Sequence, residues 1–364
     1  MRLLIAGGGT GGHLFPGIAL ADEAIRRGGT EVLFVGTSRG IETRAVPAAG
    51  YALETLQVTG LKRMGLVGTL RGLVRVPLAL MRSLSVLRRF RPDVVVGVGG
   101  YASGPMVLAA ALAGYATAIQ EQNSVPGMTN RILGKLVRSV FTAFDEATRF
   151  FPSRKVERLG NPVRQAIVAA LEGITDASPS DGKLRILVVG GSQGARAVSE
   201  LVIGAASILV NKNVDFTIVH QTGSTDLGRI QGKYRELGLD GRVQVQAFID
   251  NMAAAYGAAD LVIGRAGALT LAELAIVGKP AILVPLPTAA DDHQTKNAAH
   301  FAKAGAALVL NQRTSNAADL AAVIGNLALD RSKRLAMSKA MREIARPRAA
   351  EAIVDRLHAL AKRP

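Results

Sequence analysis

The sequence predicts an α/β protein with two doubly wound halves, each built on a parallel sheet. Residues 2–17 run from a short apolar stretch through a glycine-rich turn into a helix, and residues 184–195 repeat that order. A strand, a tight turn and a helix in succession are typical of parallel sheets. The chain of 364 residues also has the length of two ordinary domains rather than one.

Composition narrows the class of protein and its compartment. Hydrophobic residues make up 49% of the chain, which is enough for two cores. The absence of cysteine excludes disulfides and thiolate metal sites. Because the N-terminus enters a strand at once and lacks a signal-peptide pattern, we expect a cytoplasmic protein.

The net charge of +16 calls for an acidic partner, such as nucleic acid, anionic lipid or a phosphorylated substrate. Aromatic residues make up only 4% of the chain, so stacking platforms are scarce and we expect no nucleic-acid partner. The uncharged segment 94–119 has several glycines and Pro105 near its middle. This pattern favours a buried strand, a turn and a packed helix over a membrane span.

The order of elements follows from the apolar runs. In the first half, strands are predicted at residues 3–6, 31–35, 51–58, 93–98 and 116–120, with the first helix entered at about Leu14. Residues 172–183 have the composition of a linker. Beyond them, strands are predicted at residues 184–189, 214–220, 243–246, 261–263, 281–284 and 306–310.

Helices fill the remainder from about Ala317, and Pro347 marks a break in them. The last helix is expected to cross back to the first half. We therefore predict domains at residues 1–162 and 163–345, with residues 346–364 packed on the first.

The first glycine-rich turn, residues 7–12, predicts a phosphate site, because N–H groups and the positive end of a helix dipole lie above such a turn. His13 stands at the helix start, where the dipole disfavours imidazolium and a neutral imidazole can accept a proton. A tight connection with a surface histidine is the simpler alternative. An NAD site would need an acidic residue at the end of the second strand, where Gly36 and Thr37 stand instead.

Two further polar groups stand where strands end. Glu121-Gln122-Asn123 follow the strand at 116–120, and open α/β sheets bind ligands at the carboxyl ends of their strands. Thr270 and Glu273 stand at the start of another helix. This pair fits a capping box, and Glu273 equally fits a carboxylate that holds two ribose hydroxyls.

Neither glycine-rich turn carries the Lys-Ser/Thr pair of a Walker motif, and the sequence has no Asp-x-Asp pair. A diphosphate would therefore be neutralised by helix N-termini and arginine. Asp291, Asp292 and His293 can pass for metal ligands, but an acidic pair at a helix N-terminus is commoner, so we expect no metal.

Residues 61–92 contain eight basic residues and no acidic one, interleaved with apolar residues. The segment fits a helix with apolar and basic sides. Such a helix either packs on the core with solvated arginines or forms a membrane-surface patch, and we favour the patch. The basic residues are Lys62, Arg63, Arg71, Arg75, Arg82, Arg88, Arg89 and Arg91.

Six motifs taken together resemble one family. They are Gly8-Gly9-Thr10-Gly11-Gly12-His13 with Pro16-Gly17, Gly99-Gly100-Tyr101 with Ser103-Gly104-Pro105, Glu121-Gln122-Asn123, Gly160-Asn161-Pro162-Val163-Arg164, Gly190-Gly191-Ser192-Gln193-Gly194-Ala195, and Gly267-Ala268-Leu269-Thr270 with Glu273. Their order closely resembles the MurG family of bacteria. That family transfers N-acetylglucosamine (GlcNAc) from UDP-GlcNAc to lipid I, which gives lipid II for peptidoglycan.

The resemblance implies a GT-B fold with two Rossmann-like domains and a cleft between them, inverting chemistry, and neither metal nor cofactor. Residues 1–162 would hold the acceptor and meet the membrane, and residues 163–345 would bind UDP-GlcNAc. The enzyme would be peripheral, at the cytoplasmic face of the inner membrane. Its partners would be UDP-GlcNAc, lipid I, an anionic membrane surface and other cell-wall synthesis proteins.

Individual residues take roles from the same resemblance. His13 is the first choice for the base that deprotonates the acceptor hydroxyl, and Glu121 is the second. The donor contacts would be Thr10, Gly11, Gly12, Asn123, Arg164, Ser192, Ile249, Ala268, Leu269, Thr270, Leu271, Ala272, Glu273 and Gln294.

Some positions stay open. Gln120 stands where the family often has His, and His293 where some relatives have Gln, so neither receives a role. Taken alone, Asn161-Pro162 predicts only a turn before Arg164, and Ser192 only a helix cap. Two other classes of protein also remain open, a dinucleotide-dependent oxidoreductase and a non-catalytic protein that binds nucleotide-sugar or lipid.

Overall fold

The protein is described by a computed structural model that covers residues 1–58, 66–169, 182–190 and 195–362, with only the helix path over residues 66–76. The chain divides into two compact units. Unit 1 comprises Met1–Gln165 and Arg346–Pro364, and unit 2 comprises Ala166–Ala345.

The described part of unit 1 contains seven strands. They are β1 (Arg2–Gly7), β2 (Glu31–Thr37), β3 (Ala52–Leu56), β4 (Val94–Gly99), β5 (Ala116–Glu121), β6 (Ser139–Thr142) and β7 (Val156–Arg158). The helices up to the boundary are α1 (Gly11–Arg26), α2 (Glu42–Ala48), α3 (Leu66–Phe90), α4 (Ser103–Leu112), α5 (Met128–Leu136), α6 (Asp145–Thr148) and α7 (Gln165–Ala169).

Unit 2 has six strands within its described residues. They are β8 (Leu184–Val189), β9 (Phe216–Gln221), β10 (Val243–Gln246), β11 (Leu261–Gly264), β12 (Ala281–Leu283) and β13 (Ala307–Val309). The remaining helices are α8 (Arg196–Asn211), α9 (Leu227–Glu236), α10 (Met252–Ala258), α11 (Ala268–Val277), α12 (His293–Lys303), α13 (Ala317–Leu329), α14 (Arg331–Ile344) and, in unit 1, α15 (Ala349–Ala361).

Both sheets are parallel throughout their paired strands. The strand order is β3-β2-β1-β4-β5-β6-β7 in unit 1 and β10-β9-β8-β11-β12-β13 in unit 2. The register of β1 sets Leu3 opposite Val94 on one side and opposite Val32 on the other. The predicted α/β class with two doubly wound sheets is confirmed.

Helices cover both faces of the sheet in unit 1, because successive side chains of a strand point to opposite faces. Leu3 and Ile5 of β1 belong to a buried cluster that includes residues of α1 and α15. Leu4 and Ala6 belong to a second cluster, with residues of α3 and α4. Strands buried on both faces need near-continuous apolar runs, which is why these runs were visible in the sequence.

Helix α15 lies in unit 1. Ile353, Val354, Leu357 and Leu360 are all buried in the cluster that contains α1. The preceding helix α14 ends at Ile344 and α15 begins at Ala349, so the predicted break at Pro347 is confirmed.

Segment 94–119 forms β4, α4 and the start of β5, as predicted. Within the described residues, no helix is both long enough and apolar enough to cross a bilayer. Strands β3 and β13 are shorter than predicted, and most of the proposed linker lies outside the described residues.

Candidate active site

Each sheet reverses its strand order at one point, and such points are where doubly wound sheets bind ligands. In unit 1 the reversal falls between β1 and β4, so the glycine-rich turn after β1 lies beside the turn after β4. In unit 2 it falls between β8 and β11, so the carboxyl end of β8 at Val189 lies beside Gly264, the end of the strand that leads to α11. The motifs at Gly8 and Gly99 therefore lie at the reversal point of unit 1, and the motif at Gly267 lies at that of unit 2.

The turn after β1 owes its shape to Gly8 and Gly9, which have positive φ angles of 140° and 86°. The N–H of Gly8 donates to the Gly99 carbonyl at 3.3 Å, and the N–H of Gly9 donates to the Glu42 carboxylate at 2.7 Å. The prediction that the amides of this turn face a phosphate is therefore wrong for these two. Both are occupied by acceptors of the protein.

Helix α1 begins at Gly11, three residues earlier than predicted. Thr10 is extended and is the N-cap residue, and its carbonyl accepts from the N–H groups of His13 and Leu14. His13 is thus the third residue of α1, within its first turn.

The imidazole of His13 packs closely between Thr10 and Gly99. Its Nδ1 is 3.3 Å from the Thr10 hydroxyl oxygen. A Cβ on Gly99 would lie 2.6 Å from its Cδ2, so the ring rests directly against the backbone of that glycine. The tautomer that donates Nδ1–H to Thr10 has its lone pair on Nε2. His13 is half-buried, and this arrangement suits proton transfer.

Glu121, at the end of β5, is buried and surrounded by amide donors. One carboxylate oxygen accepts from the N–H of Asn123 at 3.0 Å, and the other from the side-chain amide of Asn130 at 2.8 Å. Burial raises the pKa of Glu121, although these hydrogen bonds act in the opposite direction. Glu121 holds the loop that leads to α5.

Gln120 and Asn161 belong to a buried polar pair. The side-chain amide of Gln120 donates to the Asn161 side-chain oxygen at 3.0 Å, so Asn161 does more than form a turn. Arg164 follows shortly, directly before α7, and its guanidinium lies 5.3 Å from the ring centre of Phe15. Because Phe15 is in α1, the structure brings Arg164 beside the helix that carries His13.

In unit 2, Glu273 is buried and accepts a hydrogen bond of 3.0 Å from the Tyr256 hydroxyl. The capping-box interpretation of Thr270 and Glu273 is wrong. Helix α11 has Gly267 as its N-cap, so Thr270 is the third helical residue and Glu273 the sixth. A capping box needs these residue types at the N-cap and at the third position.

The loops after β11 and β12 are tied to each other. Arg265 donates to the carbonyls of Val284 at 2.9 Å and Pro285 at 3.3 Å, and burial lowers its pKa. Gln294 of α12 accepts from the N–H of Leu286 at 3.0 Å. These contacts place Gln294 and the start of α11 on one rim of the sheet.

Of three other positions from the sequence analysis, two are described by the structure and one is not. Ile249 follows β10 and is half-buried, and His293 begins α12, where its Nδ1–H donates to the Ala290 carbonyl at 2.7 Å. Ser192 lies outside the described residues. Among the residues that are described, no cluster of three or more His, Asp or Glu side chains is arranged to hold a metal ion.

The sequence analysis missed three side chains, namely Glu42 in unit 1 and Tyr256 and Arg265 in unit 2. Glu42 and Tyr256 act on residues 33 and 17 positions away, and no local motif records such a contact. Arg265 adjoins the Gly267 motif directly and its position after a strand was a usable signal.

Two parallel sheets that each present a helix start at their reversal point define a nucleotide-binding protein of the doubly wound α/β class. Residues 3–142 match the glycosyltransferase family 28 N-terminal domain, and residues 185–353 match the glycosyltransferase family 28 C-terminal domain. The chain belongs to glycosyltransferase family 28.

Named relatives agree with this assignment. The UDP-N-acetylglucosamine–N-acetylmuramyl-(pentapeptide) pyrophosphoryl-undecaprenol N-acetylglucosamine transferase of Anaeromyxobacter dehalogenans (strain 2CP-C) is 48% identical over 98% of this chain and 92% of its own. The Myxococcus xanthus (strain DK1622) protein of the same name is 47% identical with the same coverage.

A crystal structure of Acinetobacter baumannii MurG superposes with a TM-score of 0.80 at 32% identity, covering 98% of this chain and 99% of that one. The S. aureus MnaA–UDP structure shares the fold, with a TM-score of 0.69 at 14% identity over 100% of this chain and 99% of that one. The predicted resemblance to MurG is confirmed, and the chain is a glycosyltransferase.

Proposed function

We propose that this chain transfers GlcNAc from UDP-GlcNAc to the 4-hydroxyl of MurNAc in undecaprenyl-pyrophosphoryl-MurNAc-pentapeptide (lipid I), giving lipid II and UDP. The observation that carries the proposal is the 48% identity, over 98% of the chain, to a relative named for this transfer. The absence of an acidic residue at the end of β2 also argues against the oxidoreductase alternative.

Unit 2 binds the donor in this proposal. Glu273 accepts the ribose hydroxyls, supported by its burial at the reversal point of the sheet and by its hydrogen bond from Tyr256. The N-terminus of α11 offsets the charge of the diphosphate. Gln294 lies on the same rim as α11 and contacts the sugar.

His13 is the general base. The acceptor hydroxyl attacks the anomeric carbon from the face opposite the diphosphate, its proton passes to Nε2 of His13, and the bond to UDP breaks with inversion. Glu121 is the weaker candidate, because both of its carboxylate oxygens already accept from amides. After UDP departs, His13 releases this proton to solvent and becomes neutral again.

Unit 1 meets an anionic membrane surface at the cytoplasmic face in this proposal. The described part of α3 has a buried side, with Val86 and Leu87, so the core-packed alternative is correct for that face. Its other side exposes Leu78 and Met81 next to Arg82. Apolar side chains beside basic ones are typical of surfaces that enter the headgroup region of a bilayer.

Helix α5 continues the same chemistry. Met128, Ile132 and Leu136 recur at every fourth position and are 59%, 57% and 47% exposed, with Lys135 also exposed beside them. Residues four apart share a helix face, so α5 presents an apolar stripe to solvent. We assign this stripe to the same membrane-facing surface.

Release of UDP from UDP-GlcNAc, with and without a short-chain lipid I analogue, tests the proposed reaction. We expect release only with the analogue, and the product should carry GlcNAc on the muramyl 4-hydroxyl with inverted anomeric configuration. Binding of UDP-GlcNAc without acceptor-dependent release would instead identify a non-catalytic binding protein.

His13→Ala tests the base. The variant should lose roughly 10² to 10⁴ in kcat, the usual contribution of a general base, with donor affinity little changed. A variant that turns over normally at saturation but binds UDP-GlcNAc weakly would place His13 at the diphosphate instead.

A further inference from the structure

Glu42, the first residue of α2, has its carboxylate buried inside the glycine-rich turn of unit 1. It is 0% exposed. One oxygen accepts from the N–H of Gly9 at 2.7 Å, and the other accepts from the N–H of Thr37 at 2.8 Å and from its hydroxyl at 2.7 Å. Glu42 belongs to none of the sequence motifs, and nothing in the proposed mechanism uses its carboxylate.

Three glycines close around this carboxylate. A Cβ would lie 2.4 Å from its carboxyl carbon if added to Gly8, 2.0 Å from an oxygen if added to Gly40, and 2.6 Å from Cγ if added to Gly36. Any larger residue at these positions would displace the carboxylate. The seat is therefore shaped for this one side chain.

The carboxylate is an internal anion. Burial raises the pKa of Glu42, but the hydrogen bonds from Gly9 and Thr37 outweigh it and the pKa lies below its ordinary value. Doubly wound folds use the glycine-rich turn after the first strand to hold a phosphate. Here the protein supplies its own negative charge to that turn.

We propose that Glu42 is a positioning residue, whose carboxylate holds the turn that carries Thr10 and His13 in the geometry needed for glycosyl transfer. This inference rests on the proposed role of His13 as base. Glu42 influences the position of His13 through two connections. Gly9 is bonded directly to Thr10, and Gly8 donates to the carbonyl of Gly99, against which the His13 ring lies.

Glu42→Gln removes the charge and preserves the shape. Whichever way the side-chain amide of the glutamine is turned, its NH₂ group faces the N–H of either Gly9 or Thr37. Because both groups are donors, one hydrogen bond is lost and replaced by a repulsive contact. We expect kcat to fall roughly 10- to 100-fold, as small misplacements of catalytic groups do. The KM for UDP-GlcNAc should stay within about twofold, because Glu273 and Gln294, which the proposed function assigns to the donor, lie in unit 2 and make none of the Glu42 contacts.

Glu23→Gln is the matched control. Glu23 is also a buried carboxylate of unit 1, but it pairs with Arg26 and Arg27 at the far end of α1. It should cost stability and leave kcat unchanged. If Glu42→Gln does not fold, Thr37→Val removes one donor to the carboxylate, and it should lower kcat roughly two- to fivefold at constant KM.

A double-mutant cycle with His13→Ala separates this inference from the proposed function. If Glu42 acts through His13, adding Glu42→Gln to His13→Ala should change kcat by less than about twofold. Multiplicative losses, or a normal kcat in both Glu42→Gln and Thr37→Val, would overturn the inference while His13→Ala stays impaired. A normal kcat in His13→Ala would overturn the proposed base itself.

Discussion

At the scale of single residues, His220 links stability to pH. It is fully buried in unit 2, with Nδ1 2.9 Å from the Tyr234 hydroxyl and Nε2 3.1 Å from the Ser199 hydroxyl. Burial lowers the pKa of His220 to about 4. The native state therefore keeps it neutral at pH values where the unfolded chain, with an ordinary pKa near 6.5, binds a proton.

Stability should accordingly be complete above about pH 6.5 and fall as the pH drops toward 4, by roughly 3 kcal/mol from this residue. His220→Gln removes the titration, so urea unfolding midpoints between pH 6.5 and 4 should decline less steeply than in the wild type. Parallel curves for wild type and His220→Gln would contradict the prediction.

Glu273 offers a test of donor recognition at the same scale. If its carboxylate holds the ribose, Glu273→Ala should weaken UDP-GlcNAc binding roughly tenfold or more, since a hydrogen bond to a charged group contributes about 1.5–3 kcal/mol. A 2′-deoxy donor should bind the wild type and the variant about equally. Titration calorimetry measures both. A variant that melts earlier but binds the natural donor normally would assign Glu273 a purely structural role through Tyr256.

At the scale of elements, α3 carries the membrane prediction. Arg82 and Arg88 are exposed, whereas Arg89 pairs with Glu54, so the first two are the residues to change. Lys62, Arg63, Arg71 and Arg75 lie outside the residues whose side chains are described. Each basic residue near an anionic leaflet contributes about 1 kcal/mol, so reversing two should weaken vesicle binding at least about 30-fold.

The measurement is cosedimentation of Arg82→Glu/Arg88→Glu with phosphatidylglycerol vesicles at low salt, with turnover of a soluble acceptor analogue kept. Lys212→Glu/Arg235→Glu changes the net charge equally on exposed positions of unit 2 and should bind vesicles like the wild type. Equal binding by both double variants would refute the α3 surface. Binding of the wild type should fade as salt shortens the Debye length.

The sequence predicted correctly the elements that are determined by residues close together along the chain. The strands of both sheets are buried on two faces and so leave apolar runs, and β5 ends at Glu121, one residue later than its pattern indicated. The predicted start of α1 at Leu14 is later along the chain than the observed start at Gly11. Gly11 and Gly12 are typical of turns, but here they adopt helical geometry after the Thr10 cap. The Glu42 contact to Gly9 joins residues 33 positions apart, and spacing along the chain does not encode it.

At the scale of the whole molecule, unit 1 depends on a helix that the chain supplies only after unit 2. Leu357 of α15 is 0% exposed, so Leu357→Ala should cost about 2–5 kcal/mol and lower the melting temperature of unit 1. Leu329→Ala is the control, because that leucine is 91% exposed and should be neutral. Differential scanning calorimetry distinguishes the two, and equal melting curves would show that α15 is dispensable.

The position of α15 also orders the events of synthesis. A ribosome that adds about 5–20 residues per second needs roughly 10 to 40 s to make the stretch Ala166–Ala345. Throughout that interval the nascent first half has no α15 to cover the apolar side of α1, and it is exposed to chaperones and proteases. The half of the protein that leaves the ribosome first is therefore the half that completes its core last.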